Sequence, residues 1–416
     1  MRANLLGPPL LSSAAKHTVP ILLPLQLGAG CPYSSITAAD LSGPRHRVHS
    51  YVKGHISHEG CRGRMSVHAA VTESITSIER TQGIRPEVDA AIQQSVGRCI
   101  QESNLDIGER TVGKVRDTYV VGDKLVIVTT DRQSAFDRLL ASIPFKGQVL
   151  NLTSAWWMQN TQHLIANALL DVPHPNVSIM RRCKVFPVEV VVRGFMTGST
   201  ETSLWTHYSA GEREYCGNRF PDGLRKNDRL EANVVTPTTK AADHDVPLSP
   251  EEIVRQGLVT QEDWDTVSSA ALELFAYGQA EAAKRGLLLV DTKYEFGRDS
   301  EGTIRLIDEI HTPDSSRYWL ANTYEERHRQ SQEPQNVDKE FLRLWFRHNC
   351  DPYNDKVLPE APVELVTELA RRYVLLYERI TGRDFEIPRF REDIQSEMAA
   401  SVGAALKTSG GLTGQD

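Results

Sequence analysis

The chain has 416 residues, 40% of them hydrophobic and 24% charged, with a net charge of −7. That length can bury about two or three domains' worth of core, and the composition excludes a fibre and wholesale disorder. A net-negative chain lacks the basic surface that a general nucleic-acid binder needs, so no nucleic-acid partner is expected, although local basic patches can still hold a phosphorylated small molecule.

Residues 1–72 stand apart: seven Lys or Arg accompany only two acids, Asp40 and Glu59, among Ser, Pro and Gly. This is the composition of an organelle transit peptide. The apolar stretch from Val19 to Leu27 is broken by Pro20 and Pro24 and is too short to span a bilayer, so no membrane partner is expected. The cysteines, Cys31, Cys61, Cys99, Cys183, Cys216 and Cys350, show no CxxC pair and no zinc-type spacing with His, which points to a reducing compartment and no metal–thiolate site.

From about Thr72 to Asn104, Ile75, Ile78, Val88, Ile92, Val96 and Ile100 form a broken helical stripe, predicting helix. Arg110–Val121 and the β-branched run Lys124–Thr130 predict an antiparallel pair turning at Gly122-Asp123. Met180–Met196 predicts further strands, notably Pro187–Arg193, ending in the glycine- and hydroxyl-rich loop Gly194–Thr200. Ser249-Pro-Glu-Glu252 is a capping box, and a helix is expected from Gln261 to Lys284 with Gly286 at its C-terminus. Helices are expected again at Asp338–Arg347 and from Pro362 to Thr381 before Gly382, with a disordered tail after about Gly403. With no internal repeat or heptad run, the whole reads as α+β.

The chemistry concentrates in Val290-Asp-Thr-Lys-Tyr-Glu-Phe-Gly297 and Leu306-Ile-Asp-Glu-Ile-His-Thr-Pro-Asp-Ser-Ser-Arg317. Strand alternation places Asp291, Lys293 and Glu295 on one face, and Thr292, Tyr294 and Phe296 on the other. A turn at Asp299–Gly302 would bring Asp308 and Glu309 back as a hairpin, so that carboxylates from two strands converge beside a lysine. That grouping suits Mg²⁺ and a nucleotide phosphate. Taken alone, such a face is more commonly a solvated edge.

Walker A and GxGxxG signatures are absent, and Glu295-Phe-Gly297 resembles a kinase DFG triplet with no HRD loop before it. Gly113-Lys114, followed by Arg116, is a glycine turn that can lie over phosphates. Arg193, Ser199, Ser316 and Arg317 are candidate anion ligands, and Lys240 follows the flexible loop Thr236–Thr239. Asp243-His244-Asp245 is a candidate metal triad or a solvated loop. These residues leave open a Mg²⁺-nucleotide ligase, a small-molecule kinase and a non-catalytic nucleotide-binding module.

Gly113–Asp117, Thr130-Asp-Arg-Gln-Ser-Ala-Phe-Asp137, Val191-Val-Arg-Gly194, Thr236–Lys240, Asp291–Gly297 and Asp308–Arg317, in that order, together resemble the phosphoribosylaminoimidazole-succinocarboxamide synthase (SAICAR synthetase) family, plant-type, over roughly Arg110–Phe385. The resemblance implies an ATP-dependent ligase joining L-aspartate to the carboxylate of carboxyaminoimidazole ribotide, with ATP and Mg²⁺ and no other cofactor. It implies a two-domain fold related to ATP-grasp and kinase folds, with ATP in the cleft. The expected organisation is a leader at 1–72, an antiparallel nucleotide domain at 73–190, an α+β substrate and metal domain at 191–390 and a tail at 391–416. A homo-oligomer is compatible with it.

By the same resemblance, Glu295 and Asp308 are the metal acids, and Asp291, Lys240 and Lys293 the catalytic set. Gly113, Lys114, Arg116, Phe186, Val188, Glu189 and Lys240 contact the nucleotide, with adenine held by the backbone around Phe186–Glu189. Asp131, Ser134, Asp137, Arg193, Gly198, Ser199, Asp314, Ser316 and Arg317 form the substrate side. The basic leader fits a plastid enzyme of the stroma, with the mitochondrion as the alternative address.

Overall fold

Two large antiparallel sheets, of five and six strands, frame the molecule. The computed structural model describes residues 83–136, 138–240, 246–337, 339–388 and 394–408. All belong to one unit, Thr76–Asp416. The leader at 1–72, Asp137 and Asp243-His244-Asp245 lie outside the described residues.

Helix α1 (Pro86–Ser95) precedes the first sheet. The longer helix expected over Thr72–Asn104 is therefore shorter within the described residues, because Gly97 adopts a positive φ of 82° just past its end and the chain runs on extended. The first sheet contains β1 (Glu109–Val112), β2 (Arg116–Val121), β3 (Lys124–Thr129), β6 (Leu169–His174) and β7 (Val177–Arg181), in the order β1-β2-β3-β7-β6. The β2–β3 turn falls at Gly122-Asp123, as the sequence predicts. Between β3 and β6 lie the hairpin β4 (Arg132–Ala135) and β5 (Arg138–Ser142) and the helix α2 (Lys146–Asn160).

The second sheet is built on two long strands, β8 (Lys184–Phe195) and β13 (Leu287–Arg298). Between them run α3 (Leu204–Ser209), the small hairpin β9 (Glu214–Tyr215) and β10 (Asn218–Arg219), then β11 (Arg229–Val235), β12 (Thr238–Thr239), α4 (Pro250–Arg255) and α5 (Gln261–Ala283). The predicted capping box begins α4: Ser249 Oγ accepts from Glu252 N at 3.2 Å, and Ser249 N donates to Glu252 Oε2 at 2.8 Å. Strands β11 and β12 pair with one side of β8. On the far side of β13 come β14 (Ile304–Leu306) and β15 (Ser316–Leu320). Helix α5 buries Trp264, Val267, Leu274 and Phe275 against this sheet, each contributing about 1.5–3 kcal/mol of transfer free energy.

The C-terminal third is helical: α6 (Ala321–Arg329), α7 (Glu340–Asn349), α8 (Val363–Thr381) and α9 (Ile394–Thr408). Helix α8 stops at Gly382, whose φ of 67° is the left-handed conformation that glycine adopts most readily. The expectation of a disordered tail after Gly403 is corrected: α9 continues to Thr408 and buries Met398, Val402 and Leu406 with Tyr119, Val126 and Ile179 of the first sheet. Its apolar residues recur every four positions, so this cluster secures a segment whose glycine and threonine content suggests a coil.

Candidate functional site

Strand β13 lies between β8 and β14/β15 and is no edge, and on its polar face Asp291 and Glu295 are buried while Lys293 is half-buried. Register fixes that face row by row. Asp291 stands opposite Arg193 of β8 on one side and Arg317 of β15 on the other, Lys293 opposite Val191, and Glu295 opposite Glu189. At about 3.3 Å per residue, the Arg193–Asp291–Arg317 row and the Glu189–Glu295 row are ~13 Å apart along one sheet face. The opposite alternation holds as read: Tyr294 and Phe296 are in the core.

At the Glu295 end the β13–β14 hairpin forms as predicted. Its turn is held by Asp299, whose Oδ1 accepts from Glu301 N and Thr303 N, each at 2.9 Å, and whose Oδ2 accepts from Arg305 Nε at 2.5 Å. The return brings Asp308 to Lys293, whose Nζ lies 3.3 Å from Asp308 Oδ2, 3.1 Å from Glu189 Oε1 and in contact with Glu295 Oε1. Lys240 pairs with the other Glu295 oxygen. Arg116 reaches from the first sheet to Asp308 Oδ1 at 3.0 Å and Glu309 Oε1 at 2.6 Å.

Burial would lower the Lys293 pKa, but Asp308, Glu295 and Glu189 outweigh it and hold the ammonium charged. The two acids diverge. Burial and the neighbouring Asp308 raise Glu295 against the pull of its lysines, whereas at Asp308 burial is overcome by Lys293 and Arg116, which hold it well below the usual carboxylate range. Among the described residues, no group of three or more His, Cys, Asp or Glu is placed to hold a metal ion by itself.

At the other end of the face, Arg193 Nη1 lies 3.4 Å and Arg317 Nη1 2.6 Å from Asp291 Oδ2, while Arg193 Nε donates to Thr236 Oγ1 at 2.8 Å. The two guanidiniums line a cleft of about 170 Å³ with Asp314, Ser316 and, from α7, Lys339 and Arg343. Burial lowers the Lys339 pKa, with Asp314 opposing and Arg343 and Lys146 reinforcing. Gly198 is forced by its neighbours, since its φ is +112° and a Cβ would stand 2.3 Å from Ser203 Cβ. Ser199 Oγ donates to Glu340 Oε1 at 3.0 Å, tying this loop to α7. The Ser316 hydroxyl lies 2.7 Å from that of Thr292.

The segment expected to hold adenine, Phe186–Glu189, is distinctive in backbone terms. Glu295 pairs with Glu189 but Gly297 pairs with Val185, so Phe186, Pro187 and Val188 face a single residue, Phe296. On the other edge Val188 and Glu189 pair with Thr239 and Thr238, and Lys240 N donates to Pro187 O at 3.2 Å. The irregular ladder therefore lies toward β13. The Val188 side chain is in the core.

The remaining candidates are dispersed. Ser134 lines another cleft of about 380 Å³ with Gly113, Lys114, Arg110, Arg132 and Arg138. Asp131 is buried, its carboxylate accepting from Gly147 N at 2.9 Å and Ile100 N at 2.7 Å. Beside it the fully buried Lys146 pairs with Asp314 Oδ2 at 2.8 Å, and Tyr373 donates to Asp314 Oδ1 at 2.7 Å. Lys146 and Lys339 hold the Asp314 carboxyl well below its usual range against the effect of burial.

Sequence reasoning placed Glu309 in the returning hairpin but missed Lys146, Lys339 and Arg343. A signal existed for each: Lys146 is a lone charge inside the apolar run Ile143–Leu150, and Lys339 and Arg343 are four apart at the start of a predicted helix, hence on one side of it.

A sequence profile of the SAICAR synthetase family matches residues 109–360. The chain is 59% identical over 333 residues to the chloroplastic phosphoribosylaminoimidazole-succinocarboxamide synthase of Arabidopsis thaliana, covering 79% of this chain and 81% of that one. Among solved structures it is similar to SAICAR-synthase from Saccharomyces cerevisiae complexed with SAICAR (TM-score 0.59, 30% identity, covering 69% of this chain and 99% of that one). It is also similar to a type-2 SAICAR synthetase in complex with ADP (TM-score 0.51, 25% identity, covering 68% and 100%).

Proposed function

The chain belongs to the SAICAR synthetase family and is an ATP-using ligase of purine biosynthesis that makes SAICAR, and from that premise we propose how the sheet face divides the reaction. The observation that carries the reading is the pair of rows on one face of β13, basic at Asp291 and acidic at Glu295. Arg193, Arg317, Lys339 and Arg343 take the anionic groups of carboxyaminoimidazole ribotide, with Gly198 and Ser199 closing the rim. Gly113, Lys114, Arg116 and Lys240 take the ATP phosphates, with adenine against the bulge at Phe186–Val188.

Glu295 and Asp308 fit Mg²⁺, because their oxygens converge from β13 and from the segment just after β14 on one point where the Lys293 ammonium already stands. Mg²⁺ binds through one or two carboxylates plus phosphate oxygens and water, and when bound it would neutralise charge on the transferring phosphoryl group. Lys293 and Lys240 stabilise the same charge and hold the γ-phosphoryl toward the ribotide carboxylate. Once phosphorylated, that carboxyl has a good leaving group, which the amine of L-aspartate displaces, giving SAICAR, ADP and phosphate. The chain's own contribution is position and preorganised charge.

The test is ADP release and product mass. Sustained turnover of ATP to ADP should require both L-aspartate and the carboxylated ribotide, and the product should carry an aspartyl amide. Multiple turnovers of ADP release without aspartate, or a final product heavier by one phosphate, contradict the reading. We also propose that residues 1–72 deliver the enzyme to the chloroplast stroma; a fluorescent fusion of that segment entering mitochondria would overturn this.

A further inference from the structure

We propose that Arg132 is the positioning residue of the phosphate-binding turn Gly113–Arg116, acting through its main chain without touching a ligand. This rests on the reading above that Lys114 and Arg116 of that turn contact the nucleotide.

The turn closes on itself through one tight bond, Gly113 N to Arg116 O at 2.7 Å, and a Cβ on Gly113 would stand 2.9 Å from that same oxygen. Such a turn needs support from outside, and it comes from β4 and the residues just before it. Arg132, 7% exposed, donates from Nη2 to Gly113 O at 3.0 Å and from Nε to Lys114 O at 3.2 Å. Thr130 donates to the next carbonyl, Val115 O, from its amide at 3.0 Å and its hydroxyl at 2.8 Å. Three successive carbonyl oxygens are thus drawn onto protein donors and withdrawn from any phosphate they would otherwise repel.

The guanidinium is itself fixed. Nη2 also pairs with Asp117 Oδ1 at 2.8 Å, and Nη1 donates to Gln101 O. Asp117 is fully buried, and its other oxygen accepts from Ser103 N and Ser103 Oγ, each at 2.8 Å. A planar fork can span two consecutive carbonyls and a carboxylate at once. An ammonium, with one centre, cannot.

The experiment uses the full chain with steady-state kinetics for each substrate and hydrogen exchange across residues 110–118, in Arg132→Lys, Asp117→Asn and Lys114→Ala. Arg132→Lys should raise KM for ATP about tenfold with kcat within about twofold and KM for aspartate unchanged, while exchange accelerates in that peptide alone. Lys114→Ala should raise KM for ATP as well. An unchanged KM for ATP in Arg132→Lys, or a loss of kcat with every KM shifted alike, overturns the proposal while Lys114→Ala still supports the site. An unchanged KM for ATP in Lys114→Ala overturns the reading of the turn and the proposal with it. Should Arg132→Lys fail to fold, Asp117→Asn decides: about a threefold rise in KM for ATP alone supports the proposal, and no such split overturns it.

Discussion

The β13–β14 hairpin and the Gly113–Arg116 turn both converge on Asp308, yet they are held in opposite ways. The hairpin carries its chemistry on its own strands, where alternation places Asp291, Lys293 and Glu295 on one face and a turn returns Asp308 to them. The glycine turn carries two basic side chains but is shaped by groups outside it, Thr130, Arg132 and Asp117. Charge at the hairpin is shared among several partners. At the turn it passes through one buried carboxylate. Substitution should therefore separate function from stability in the first region and join them in the second.

The sharpest break of this contrast is Glu295→Gln. Lys293 keeps Glu189 and Asp308 as partners, so the melting temperature should change little while kcat falls by about a thousandfold. Steady-state assay beside thermal melting checks both halves. A near-normal rate would remove the hairpin from the phosphoryl chemistry. Asp117→Ala should strike stability along with ATP binding, costing about 3–5 kcal/mol of folding stability by leaving the buried Arg132 without its counter-charge, read by denaturant unfolding.

Arg193→Lys tests the far row. The side chain bonds Thr236 through Nε and faces Asp291 through Nη1, and an ammonium cannot do both while gripping an anion. KM for the ribotide should rise about 10- to 100-fold with KM for ATP unchanged.

These regions were unequally legible in the sequence. The hairpin, the β2–β3 turn, the α4 capping box and the Gly382 stop all follow from local rules, namely alternation, turn residues and caps. What the sequence withheld are contacts made across distance. Lys146 meets Asp314, Arg116 meets Glu309, and α7 brings Lys339 and Arg343 to the Arg193–Arg317 cleft. None of these pairs is close in the chain, so no period or cap signals them. Helix α9 was missed for a related reason, since its helicity rests on tertiary burial against the first sheet rather than on propensity.

Asp131 offers a smaller test between the regions. Burial pushes its carboxyl up to about 6, against the amides of Gly147 and Ile100 and the charge of Lys146. Its folded value thus exceeds the ~3.9 of an unfolded Asp. The native state then holds the proton more tightly, and stability falls as pH rises from about 4 to about 6. Relative to Asp131→Asn, the wild type should lose on the order of 1–3 kcal/mol across that interval, measured by denaturant titration at each pH. The smallest effect is remote from both regions: Ser249→Ala removes the cap of α4 and should cost about 1 kcal/mol with kcat unchanged.

Whether the β13–β14 hairpin seats the metal and the transferring phosphate is decided by a crystal structure with ADP and Mn²⁺ as an anomalous reporter for Mg²⁺. An anomalous peak is expected within coordinating distance of carboxylate oxygens of both Glu295 and Asp308. A metal bound by other residues, with Lys293 still paired to both acids, would contradict it.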